Sequence, residues 1–167
     1  MLALRILTVI VLSLGLAACG GDDEEGKDTE ITTQTTTGGE KTEGTATSLK
    51  ALLSGTEEVP GPGVKDGVGA ALIDIAGSKV CADLNVTMGE KPLKAHIHKG
   101  AKGASGPVVV DLVPVFNPGE AAFTSKSCVE TTADSAAQLI ADPGAFYVNV
   151  HSGGYPDGAM RGQLAKV

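Results

Sequence analysis

Val68-Gly69-Ala70-Ala71-Leu72-Ile73-Asp74-Ile75-Ala76-Gly77-Ser78-Lys79-Val80-Cys81-Ala82-Asp83-Leu84-Asn85-Val86-Thr87 decides the fold class. In its second half Val80, Ala82, Leu84 and Val86 alternate with Cys81, Asp83, Asn85 and Thr87. Side chains of an extended chain point to opposite faces with a period of two, so this alternation predicts a strand with one face in the core. Gly77-Ser78 is a two-residue turn, and 68–75 with 79–87 read as a hairpin. Working outward, 49–53, 93–98, 107–113, 121–130, 145–151 and 158–165 give further short apolar or β-branched runs between turn formers. One segment breaks the pattern. Thr131 or Thr132 can cap a helix near 133–141, Asp134 favours its first turn, Ala136, Ala137, Leu139 and Ile140 give it a face, and Pro143-Gly144 stops it. The expected fold is all-β: an antiparallel Greek-key sandwich or flattened barrel of about eight short strands with one short helix.

Composition agrees. The chain has 167 residues, 23 Gly, 8 Pro, no Trp and only 3% aromatics. A core must come from Ala, Val, Leu and Ile, and the many turn formers disfavour a helical bundle. The net charge of −7 argues against nucleic acid, whose phosphates need a basic face.

The first 47 residues read as something other than the fold. Arg5 and the apolar run Ile6 to Leu16 have the layout of a secretory signal. Leu16-Ala17-Ala18-Cys19 then resembles the bacterial lipobox, which implies a signal peptide over 1–18 and a lipidated Cys19. Acyl chains on Cys19 would anchor the protein to a bacterial membrane without a spanning helix. The expected location is the cell surface or periplasm. Residues 20–47 carry eight acids, two bases and one large apolar residue, Ile31. Such a stretch cannot bury enough surface to offset its ordering entropy, so 19–47 is expected to be a disordered acidic tether. The domain, 48–167, holds twelve acids and ten bases and is nearly neutral.

Two thiols remain in the domain. Cys81 and Cys128 are even in number and lie in an exported setting, which predicts a disulfide between them. Cys81 falls on the face opposite the core residues of its strand, so the bridge is expected to tie strand edges.

The three His of the chain are His96, His98 and His151. His96 and His98 share one face of a strand, and His151 ends another. If those strands pair, three imidazoles converge, a set that suits zinc or copper and leaves a coordination position open. Glu58 and Arg161 are the next candidates: a salt bridge between them, or Glu58 as a fourth ligand or outer acceptor for an imidazole, with Arg161 beside it. The loop Gly100-Ala101-Lys102-Gly103-Ala104-Ser105-Gly106 lacks the Gly-Lys-Ser/Thr ending of a phosphate loop. No Ser lies in a nucleophile-elbow context, so an enzyme has the least support.

Four segments resemble one known family: Leu53-Ser54-Gly55-Thr56-Glu57-Glu58-Val59-Pro60, Ala95-His96-Ile97-His98-Lys99-Gly100 with Gly106-Pro107-Val108-Val109-Val110, Tyr147-Val148-Asn149-Val150-His151, and Tyr155-Pro156-Asp157-Gly158-Ala159-Met160-Arg161-Gly162-Gln163-Leu164. In this order they are similar to the CHRD family, over roughly 48–165. The resemblance implies an extracellular β-sandwich module and no defined activity. Two functions follow as expectations: a tethered module binding copper or zinc through three His, or a surface module binding a protein or glycan in which the His are structural.

Overall fold

The computed structural model describes residues 46–119 and 122–167. The expected signal peptide 1–18, the expected lipidation site Cys19 and the expected tether up to residue 45 lie outside the described residues. The first strand pairing among the described residues is at Thr47, opposite Ile75.

Among the described residues, ten strands form in chain order: β1 (Thr47–Ser54), β2 (Val68–Ala76), β3 (Lys79–Thr87), β4 (Pro92–Lys99), β5 (Val108–Asp111), β6 (Asn117–Pro118), β7 (Phe123–Glu130), β8 (Phe146–Ser152), β9 (Met160–Gln163) and β10 (Ala165–Lys166). The one α-helix among the described residues, α1 (Ala133–Ala141), lies between β7 and β8. All pairings are antiparallel, and they join into one sheet in the order β5-β4-β8-β9-β1-β2-β3-β7-β6, with β10 on β1. The sheet curls into a half-barrel, so the all-β antiparallel reading with a single short helix holds. Two strands exceed the expected eight: β6 and β10, of two residues each.

The hairpin read first from sequence forms as β2 and β3, paired from Val68↔Thr87 to Ala76↔Lys79. Val80, Ala82, Leu84 and Val86 are buried, as their alternation requires. They pack with Leu49, Ile73 and Ile97 in one core that also takes Ala136 and Leu139 of α1. Each Leu, Ile or Val so buried contributes about 1.5–3 kcal/mol. Thr132 caps α1, its side chain accepting from Ser135 N. Ala137, assigned above to the buried face, is exposed. It follows Ala136 by one position, about 100° around the axis and away from the core.

Cys81 and Cys128 form a disulfide, with Cα atoms 4.0 Å apart. They are directly opposed across β3 and β7, and neither belongs to the buried core, as the alternation of β3 predicted.

Candidate functional site

The polar residues singled out above come together because of register. In β4, Ala95 and Ile97 face the core, which turns His96 and His98 to the other face. In β8, Val148 and Val150 face the core, which leaves Tyr147, Asn149 and His151 on that same opposite face. Pairing of β4 with β8 sets Lys94 against His151, His96 against Asn149 and His98 against Tyr147. One row therefore runs across five strands as Asp111, His96, Asn149, Arg161 and Ser54. The next runs through His98, Tyr147 and Gln163.

The three rings are neighbours. Their ligand-capable atoms all lie within 4.8 Å of one another. His96 Nδ1 is 3.1 Å from His151 Nε2. Two nitrogens bound to one tetrahedral zinc, each at about 2.0–2.1 Å, sit roughly 3.3 Å apart, close to this spacing. His98 Nδ1 is 2.9 Å from the Gly106 carbonyl, and His151 Nδ1 is 2.9 Å from the Pro156 carbonyl. A carbonyl only accepts, so both Nδ1 atoms carry the proton and both Nε2 atoms carry a lone pair. His98 Nε2 is buried without a partner. Burial pushes the pKa of His96 and of His151 below the ordinary imidazole value; charge on neighbouring His adds to this, while the Pro156 contact opposes it at His151. These rings are held in the neutral form that metals bind.

The loop 100–106 that failed as a phosphate site is a lid pinned by its own carbonyls. Arg161 Nη2 donates to Ala104 O at 2.9 Å, and Gln163 Nε2 donates to Gly100 O at 2.7 Å. Gly106 N donates to Tyr147 Oη at 3.3 Å. The Tyr147 ring stacks on His98 with centroids 4.9 Å apart, and the Arg161 guanidinium lies 3.6 Å from the Tyr147 centroid. Arg161 is only 2% exposed.

Glu58 lies outside the converging set, which consists of the three His. Glu58 is 6% exposed, and its carboxyl accepts a hydrogen bond from the Asn149 side chain. Gly158 makes room for it: φ is +151°, and a Cβ there would sit 1.6 Å from Glu58 Oε2. Burial pushes the Glu58 pKa up from 4.5 to about 7, against the lowering effects of the Arg161 charge and the Asn149 bond. Glu58 and Arg161 thus interact through charge, while the guanidinium bonds to loop carbonyls. Sequence reasoning passed over Asn149, which links His96 to Arg161 along the row, and Asp111, whose Oδ1 is 3.9 Å from His96 Nε2. Neither stands out until β4, β5, β8 and β9 are in register.

The Glu58 shift has a sign. The unfolded carboxyl ionises near 4.5 and the folded one near 7. The stability gained by keeping Glu58 protonated is therefore full below pH 4.5 and lost as pH rises to 7. The integrated effect is on the order of 3 kcal/mol. Urea unfolding from pH 4 to 8 should show this decline in the wild type relative to Glu58→Gln, whose side chain stays neutral. Parallel stability curves for the two proteins would refute the assignment.

A curled antiparallel sheet with a polar, three-His face beside the loop 100–106 defines an all-β module. The chain belongs to the CHRD family: the family model of the CHRD domain matches residues 49–164. No curated protein and no solved structure matches the chain. The family span covers the sheet from β1 to Leu164, just past β9, and includes all three His.

Proposed function

We propose that this protein is a lipid-tethered, extracytoplasmic CHRD module that binds copper or zinc through His96, His98 and His151. The observation that carries this reading is the convergence of the three imidazoles, two of them with Nδ1 committed to a carbonyl and Nε2 left as a lone pair. That arrangement is how proteins orient His on a metal. A buried lone pair without a partner, as on His98, costs about 1–3 kcal/mol, and a bound cation removes that cost. Imidazoles without thiolate or carboxylate suit zinc and copper over calcium or magnesium. The disulfide supports an oxidising compartment. No helix among the described residues is long and apolar enough to cross a membrane. The anchor at Cys19 rests on the lipobox resemblance.

The test is titration of the purified protein with zinc and with copper, with elemental analysis of bound metal. Each single His→Ala variant is expected to bind at least tenfold more weakly, and the triple variant to bind no metal at the wild-type stoichiometry. A triple variant that binds as the wild type does sinks the metal reading. The second reading, a surface module for a protein or glycan, draws on the exposed apolar face of β1 and β2. Leu52 is 80% exposed there, beside Val68 and Leu72.

A further inference from the structure

We propose that metal entry moves the His96 proton from Nδ1 to Nε2, and that the Asp111 carboxylate, accepting a hydrogen bond from that Nε2–H, fixes the metal-bound tautomer of His96. The inference rests on the metal reading above and concerns how that site is built.

The hydrogen bonds determine where each proton sits. His151 gives its Nδ1 proton to the Pro156 carbonyl, so its Nε2 is an acceptor. His96 Nδ1, 3.1 Å from that Nε2, must then be the donor. A neutral imidazole has one N–H, so His96 Nε2 is a bare lone pair. It faces Asp111 Oδ1 at 3.9 Å, beyond hydrogen-bond range. Two acceptors facing each other explain why residues directly paired across β4 and β5 make no hydrogen bond through their side chains.

Without metal, then, His96 has its proton on the one nitrogen that faces the other rings. To ligate through Nδ1 it must lose that proton. The cheapest route keeps the ring neutral: the N–H bond at Nδ1 breaks, one forms at Nε2 by exchange with water, and the metal takes the Nδ1 lone pair. His96 is only half-buried and Asp111 exposed, so water reaches both. Asp111 now faces a donor, and the contact can close to about 2.8 Å as a charge-assisted bond. All three rings then donate their outer N–H to an oxygen: Gly106 and Pro156 carbonyls for two, Asp111 for the third. A carboxylate behind a ligating His is a recurrent means of fixing its orientation and raising its basicity.

Asp111 is held for this role. Its Oδ1 also accepts from Val113 N at 3.1 Å. Val113 adopts φ +43°, a conformation that β-branched residues seldom take, so the turn after Asp111 is imposed by its surroundings.

The experiment is long-range proton–nitrogen NMR of the His rings in the full chain at mildly alkaline pH, without metal and with zinc. Without metal, all three His are expected as Nδ1–H tautomers. With zinc, His96 alone should become Nε2–H. Asp111→Ala should weaken zinc binding by about 10–100-fold, and Asp111→Asn, which keeps an acceptor oxygen, by less. Zinc that binds while His96 is Nε2–H beforehand, or stays Nδ1–H afterwards, overturns this inference and leaves the metal reading intact. So does a folded Asp111→Ala variant that binds zinc like the wild type. A wild-type protein that takes up neither zinc nor copper overturns both. The wild-type spectra decide the question even if a variant fails to fold.

Discussion

Replacing Arg161 by Ala is expected to destabilise the domain by about 3–5 kcal/mol, the usual loss when one member of a buried charged cluster is removed. For a domain of this size that is a fall in Tm of roughly 10 °C or more. Three contacts go at once. The guanidinium leaves the face of Tyr147, a cation–π contact worth about 1–2 kcal/mol when desolvated. The Ala104 carbonyl loses its donor, so the lid over residues 100–106 loosens. Glu58 loses the positive charge that holds its pKa down, so its ionisation moves above about 7. Arg161→Lys should recover only part of the loss, because an ammonium cannot stack as a plane and bond to the lid together. Urea unfolding of the three proteins at pH 7.5 reads the effect. A loss below about 1 kcal/mol for the Ala variant would show that the lid does not depend on this side chain.

The double variant Cys81→Ser, Cys128→Ser is expected to lose roughly 4 kcal/mol, the chain entropy released when a 47-residue loop is no longer closed. The position of the bridge explains why the effect should be large. After β3 the chain crosses to the far side of the sheet, builds β4 and β5, and returns to pair β7 with β3. The bridge fixes that return at the Cys81↔Cys128 register. Thermal unfolding of the wild type under a strong reductant should match the double variant. A reduced wild type as stable as the oxidised one would show that the ladder alone sets the register.

What was legible in the sequence was local. Period-two alternation revealed β3 and its core face, and a Thr cap with a Pro-Gly stop revealed α1. Strands of two residues carry no period, so β6 and β10 passed unseen. The meeting of His96, His98 and His151 could be read only as conditional on one strand pairing, because β4 and β8 are joined by a long-range ladder. The same dependence hid Asp111 and Asn149: an Asp or Asn at a strand position looks solvent-facing until the neighbouring strands supply its partners. Arg161 reads from sequence as a partner for Glu58, and nothing local shows that it is buried. Its burial follows from the loop 100–106, which the sequence shows only as a polar, Gly-rich connection.

The stack of His98, Tyr147 and Arg161 has an optical consequence. The chain has no Trp and two Tyr. Intrinsic near-ultraviolet emission therefore comes from two phenols, one of which sits ring-to-ring on an imidazole of the His cluster. A paramagnetic ion held by His98 would lie one ring away from that emitter and quench it, whereas a closed-shell ion would leave it bright. If the proposed site takes up metal, the domain would carry its own indicator dye, and a fluorimeter would tell a paramagnetic from a closed-shell ion.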